Sequence, residues 1–224
     1  MWTLNTILSH VQDLVGEPQD SFYSLSLRKN YVNRAQDEMI RETLALTNEA
    51  EISVAIEQHE IDLPEDFLTF SKEQPYWEDS LNELALDLKA PGLVEVRYPT
   101  WRNPDKTSGT PEYLVQRNGK LILVPTPRDA GTVKLPYVVA PTPLEDPEDE
   151  PFNGSRGANV FAVGIAYRVA HIIMLPRAPQ YAKELEQLYV REERKMRTWA
   201  RSSPQHAQSI RPTAYLRGRG YGSD

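Results

Sequence analysis

Residues 113–127 read YLVQRNGKLILVPTP, and the pair Asn118-Gly119 at their centre decides the class of fold. Two such residues between YLVQR and KLILV are what a type I′ turn demands, because both central positions take positive φ. The spacing predicts a hairpin of Glu112 to Arg117 on Lys120 to Val124, so the middle of the chain is a β region. Pro125 and Pro127 then end the second strand and stiffen the connection that follows.

Outward from the hairpin, β-branched residues, partial alternation and frequent Pro, Gly, Asp and Asn extend the β region back to Ile52. Further strands are expected at Ile52 to Ile61, Phe67 to Lys72, Leu93 to Tyr98 and Val133 to Val139. Both flanks carry a helical period instead. A first helix is expected at Leu4 to Val15, with Thr3 as N-cap and Gly16 and Pro18 as stop signals. A second is expected from Ser24 to Thr47, where Leu27, Tyr31, Ala35 and Met39 step by four. The pattern resumes at Ala158, continues to Leu175 and breaks at Pro176 and Pro179. A last helix follows from Gln180 to Ala200 on a stripe of Tyr181, Leu185, Leu188, Met196 and Trp199.

This order predicts an α+β chain. A bundle of about four helices from residues 1–50 and 157–201 is closed by both termini. A β insertion at 51–140 separates helices two and three, followed by an acidic, proline-rich connector at 141–156 and an extended basic tail at 202–224.

With 40% hydrophobic and 25% charged residues the composition is that of a folded protein, not a disordered one. Cysteine is absent, which excludes disulfides, thiolate zinc sites and a cysteine nucleophile and fits a reducing compartment. The longest apolar run, Val160 to Leu175, is too short for a bilayer and carries Arg168 and His171, so no membrane span is expected. The N-terminus lacks a basic leader and a small-residue cleavage site, which points to an intracellular protein. Charge is unevenly spread. Val190 to Asp224 carries a balance of +5, so residues 1–189 hold −12 of the net −7. A body that acidic repels DNA phosphates, and any nucleic-acid role falls to the tail.

Catalytic constellations are not evident. His10, His59, His171 and His206 lie far apart and form no metal-binding pair. Glu145, Asp146, Glu148, Asp149 and Glu150 lack calcium-loop spacing and read as a solvated loop. No phosphate-cradling loop is present, and the Asn153-Gly154-Ser155 triplet is set aside for want of a leader peptide. No cofactor, no metal and no enzymatic activity are expected.

The tail from Ser209 to Asp224 interleaves Arg211, Arg217 and Arg219 with Tyr215, Leu216, Tyr221 and glycines. Three readings compete: a solvent tail, a strand that docks on a partner with Tyr215, Leu216 and Tyr221 in pockets, and a nucleic-acid binder pairing arginine with phosphate. The acidic body weighs against the last.

Three sets of motifs, taken in order, carry a resemblance: Leu63-Pro64-Glu65-Asp66-Phe67, Pro125-Thr126-Pro127 and Leu135-Pro136-Tyr137, between flanking helical pairs. Together they resemble the head-to-tail adaptor proteins of tailed phages, over most of residues 1–200. Physically, Leu63 and Phe67 bracket the Pro64 turn and are expected to drop into a seam between β region and bundle, with Glu65 and Asp66 in water.

The resemblance implies a structural virion protein, assembled in the host cytoplasm. Its relatives form a ring, commonly of about twelve copies, beneath the portal protein. The ring carries the tail or nozzle proteins and continues a channel through which genomic DNA passes without sequence-specific binding. It also implies that the C-terminal segment reaches into the portal, so that the docking residues would be Arg211, Tyr215, Leu216, Arg217, Arg219 and Tyr221.

Overall fold

A computed structural model describes residues 1–16, 23–80 and 83–202 of the chain. Its elements in order are α1 (Leu4–Val15), α2 (Leu25–Thr43), β1 (Thr47–Val54), β2 (Glu60–Asp62), β3 (Phe67–Phe70), β4 (Tyr76–Glu78), β5 (Glu83–Ala85) and β6 (Asp87–Leu88). There follow α3 (Pro91–Arg97), β7 (Ser108–Gly109), β8 (Tyr113–Arg117), β9 (Lys120–Val124), β10 (Thr126–Pro127) and β11 (Gly131–Val139). Short α4 (Arg156–Asn159) leads into α5 (Val163–Met174) and α6 (Pro179–Ser202). The fold is α+β, with helices at both ends flanking a β-rich middle.

Three apolar cores lie in series. In the first, the stripe Leu4, Ile7, Leu8 and Val11 of α1 meets Val32, Ala35, Met39 and Ile40 of α2, Ile165, Val169 and Ile173 of α5, and Tyr189 and Met196 of α6. Each fully buried Leu or Ile contributes about 1.5 to 3 kcal/mol. Val138 of β11 enters the same core and couples the bundle to the sheet. The second core lies between two sheets. One has the order β1-β11-β4-β5, with β3 also on β11, and the other has the order β2-β9-β8-β6. Between them pack Val54, Ile61, Trp77, Leu86, Leu114, Leu121, Leu123, Val133 and Leu135. The third core lies on the far side of the second sheet, where Val94 of α3 and Trp101 cover Val115, Ile122 and Val124.

The Asn118-Gly119 turn forms as expected, at φ 51° and 76°, pairing Arg117 with Lys120. Thr3 caps α1 in a reciprocal box with Thr6, and Gly16 closes it in the left-handed region at φ 70°.

Four expectations are corrected. Leu93 to Tyr98 is not a strand. Pro91 opens α3 at its first turn, where proline's fixed φ suits a helix, and Val94 turns inward while Leu93 and Val96 stay exposed. The strand expected at Ile52 to Ile61 is two strands in two sheets, split by a corner at which Glu57 takes φ 63° and Gln58 N donates to Ala55 O at 3.1 Å. The second helix stops at Thr43, with Leu44 left-handed, because Leu46 and the residues after it pair with β11. The third helix is broken between Asn159 and Val163. The side chain of Asn159 is turned to the N-terminus, accepting from Trp2 N at 2.8 Å and donating to Trp2 O at 3.0 Å.

The acidic, proline-rich connector of residues 141–156 keeps Glu145, Asp146 and Glu148 exposed, as expected, but is fastened to the bundle. Leu144 and Phe152 are buried. Asn33 Oδ1 accepts from Leu144 N at 2.8 Å and Gln36 Oε1 from Phe152 N at 2.8 Å. The first amides of α1 are satisfied there too: Leu4 N donates to Asp149 O at 2.8 Å and Asn5 N to Pro147 O at 3.0 Å. Asp149 in turn accepts from the backbone amides of Glu145 and Asp146, which hold its carboxyl below the usual range.

Candidate functional site

The two halves of the adaptor-like pattern meet in space. Phe67 N closes the turn by donating to Pro64 O at 3.0 Å, and β3 then lies antiparallel to β11 with Tyr137 opposite Phe70. The Phe67 ring stacks on Tyr137 at 6.0 Å and meets Phe70 edge-on at 4.9 Å. Tyr137 Oη donates to Asp66 Oδ1 at 2.7 Å and accepts from Asn48 Nδ2 at 3.3 Å. Burial first, then the Asp66 carboxylate, raises the pKa of this hydroxyl. Asp66 is exposed, as expected, and in addition holds the joint through this bond. Leu68, rather than Leu63, faces the bundle, while Leu63 packs on the core between the sheets.

Pro125 and Pro127 are buried at the end of β9, where β10 pairs in parallel with β7. Asn118 and Gly119 form the tip of the hairpin, at its far end from Val124 and Pro125. Leu63, Pro64, Phe67, Pro125, Pro127 and Tyr137 are thus framework. The predicted docking residues Arg211, Tyr215, Leu216, Arg217, Arg219 and Tyr221 lie outside the described residues.

Two exposed surfaces stand out among the described residues, the first on the basic last helix whose charge the sequence already shows. A groove of about 840 Å³ follows the outer side of α6, and among the described residues its lining comes from that helix. Lys183, Arg191, Arg194 and Lys195 line it against the single acid Glu186, with Val190 and Trp199 as its apolar floor. Beneath it Glu192, nearly buried, accepts from Lys195 at 2.7 Å and lies 3.5 Å from Arg191. The second is the apolar pair Leu93 and Val96 on α3, 65% and 84% exposed. A Pro followed by an i, i+3 pair was the signal available for α3; for the groove, the run of cations at 191, 194 and 195 was.

The ionisable groups that are drawn together serve the frame. Glu38 accepts from Arg34 at 3.0 Å and Arg168 at 2.9 Å, tying α2 to α5, and Arg168 lies over the Tyr189 ring at 5.4 Å. Burial works against the Glu38 carboxylate, but the two guanidiniums outweigh it and keep its carboxyl below the usual range. His171 bonds Ala182 O through Nδ1 at 2.8 Å, and His10 meets Trp2 and Tyr167 edge-on. Among the described residues no group of three or more His, Cys, Asp or Glu could hold a metal ion. No helix among them is long and apolar enough to cross a membrane.

The described residues thus present exposed faces on a three-core frame, in which Glu38 and Arg168 tie helices to one another. Residues 2–211 match the SU10 adaptor protein family, and the chain belongs to that family of phage adaptors. It is accordingly a structural component of a phage virion. No curated protein matches the chain.

Proposed function

We propose that the protein is a head-to-tail adaptor which assembles as a ring, of about twelve copies, between the portal and the tail or nozzle proteins and continues the DNA channel. The observation that carries this reading is the family match, which spans both helical pairs, the β insertion and the start of the tail at Arg211. The working parts are the bundle (1–50 and 157–201), the β insertion (51–140), the connector (141–156) and the tail (202–224). The tail docks on the portal through Arg211, Tyr215, Leu216, Arg217, Arg219 and Tyr221. The acidic body, −12 over residues 1–189, suits a conduit that duplex slides past without sticking.

Light scattering on the full chain, alone and mixed with the portal, tests it. Portal-bound protein holding about a dozen copies is expected. Deleting residues 209–224 should leave thermal unfolding unchanged and abolish portal binding. A full chain that ignores the portal but retains DNA in a salt-sensitive, tail-dependent way would replace this reading with nucleic-acid binding.

A further inference from the structure

The basic groove of α6 has a counterpart elsewhere on the same chain. On the face of the first sheet turned away from its core, Glu49 and Glu51 of β1 lie beside Pro136 and Lys134 of β11. Lys134 and Thr132 lie in turn beside Tyr76 and Glu78 of β4, and these beside Ala85 and Glu83 of β5. Strand alternation places all these side chains on one face, because Ala50, Ile52, Val133, Leu135 and Trp77 occupy the other. Glu49, Glu51, Glu83 and Ala85 are exposed, and Lys134 is engaged by Glu78.

The charges of this face, Glu49, Glu51, Glu78 and Glu83 against Lys134, sum to −3. Those lining the groove, Lys183, Arg191, Arg194 and Lys195 against Glu186, sum to +3, or +2 when the underlying Glu192 is included. Within one copy α6 approaches β1 through its last turn, where Ala200 and Arg201 share a small pocket with Thr43, Leu44 and Thr47. Among the described residues the groove itself is lined by no other element.

We propose that the basic groove of α6 on one copy receives the acidic sheet face of Glu49, Glu51, Glu78 and Glu83 on the next copy. The contact joins two different patches, so it is heterologous, and repetition around an axis closes it into a ring. Opposite charge sets its register, while Val190 and Trp199 on one side and Tyr76 and Ala85 on the other supply apolar area. The inference rests on the ring reading and identifies the surfaces that build it.

Charge reversal tests it on the full chain. Arg191→Glu with Arg194→Glu, and separately Glu49→Arg with Glu51→Arg, should each weaken assembly at least about tenfold, through like charges facing across the contact. The chain carrying all four substitutions should assemble again, since each patch then meets its reversed partner. Circular dichroism confirms that each variant is folded, and the milder Glu49→Gln with Glu51→Gln stands in if the reversed strand fails to fold. Assembly of wild-type and both reversed pairs alike overturns this contact and leaves the ring intact. A wild-type chain that stays monomeric with and without portal overturns the ring and the contact together. An α6-reversed chain that assembles normally but loses DNA retention assigns the groove to phosphate instead.

Discussion

The side-chain amide of Asn159 bonds both the N–H and the C=O of Trp2, as a strand neighbour would, and so fixes the first residues of the chain to the kink before α5. Asn159 is 4% exposed, and few other partners can reach it. Asn159→Ala leaves two backbone groups of Trp2, the residue just before the Thr3 cap of α1, without their bonds. A loss of about 1 to 3 kcal/mol in urea unfolding is expected, with a red shift in Trp emission. Unchanged stability and emission would show that the clamp is ornamental.

Phe67 stacks on Tyr137, yet remains half-buried. Phe67→Ala should therefore cost about 2 kcal/mol, below the 3 to 5 of a fully buried ring. A cost above about 4 kcal/mol would mean that the joint between β3 and β11 collapses with it.

Gly131 begins β11 against the Trp77 indole. A Cβ there would stand 2.4 Å from Trp77 Cζ2 and 2.6 Å from Glu78 O, and neither a buried ring nor a strand carbonyl yields easily. Gly131→Ala should destabilise by about 1 to 3 kcal/mol through overpacking. Wild-type thermal stability in this variant would show that the β4 edge is free to shift.

Against burial, Arg34 and Arg168 hold the Glu38 carboxyl below the usual glutamate range in the folded chain. A depressed carboxyl stabilises the fold above its unfolded pKa, and that contribution fades as pH falls through the folded value. Stability should thus decline as pH falls below the ordinary glutamate pKa of about 4.3, and Glu38→Gln should be less stable at neutral pH with a shallower acid limb. Parallel acid limbs in the two proteins would remove Glu38 from the acid response.

Local chemistry made part of this fold legible. Asn118-Gly119, Thr3 and Gly16 dictate their own backbone, and the stripe of α1 follows from spacing alone, as does that of α2 apart from Leu27, which is exposed, and Leu44, which lies past the helix end. What stayed hidden depends on distant partners. Nothing near Leu44 says that the helix must end so that β1 can lie on β11. The alternation in Leu93 to Tyr98 fits a strand or a short helix, and the third core decides. The stripe expected for α6 named Leu188 but missed Ala182 and Tyr189, because a small residue and a polar-tipped ring are weak signals of burial. At the candidate sites, the order of Asp66, Phe67 and Tyr137 was readable and their bonding was not. The +5 of residues 190–224 was countable, but the matching acidic face is spread over β1, β4 and β5 and exists only once the sheet has formed.

The bundle's first core draws on α1 and α2 at one end of the chain and α5 and α6 at the other. A nascent chain leaving the ribosome therefore carries the apolar stripe of its first 43 residues unpaired until synthesis has passed Val163. The strands between them can pair meanwhile, so the sandwich is complete before the bundle is sealed. A message cut short between the end of β11 and the start of α5 yields a product with a finished β portion and an open, sticky helical pair. Such a product is a target for chaperones and proteases, and quality control thereby favours full-length copies at the point of assembly.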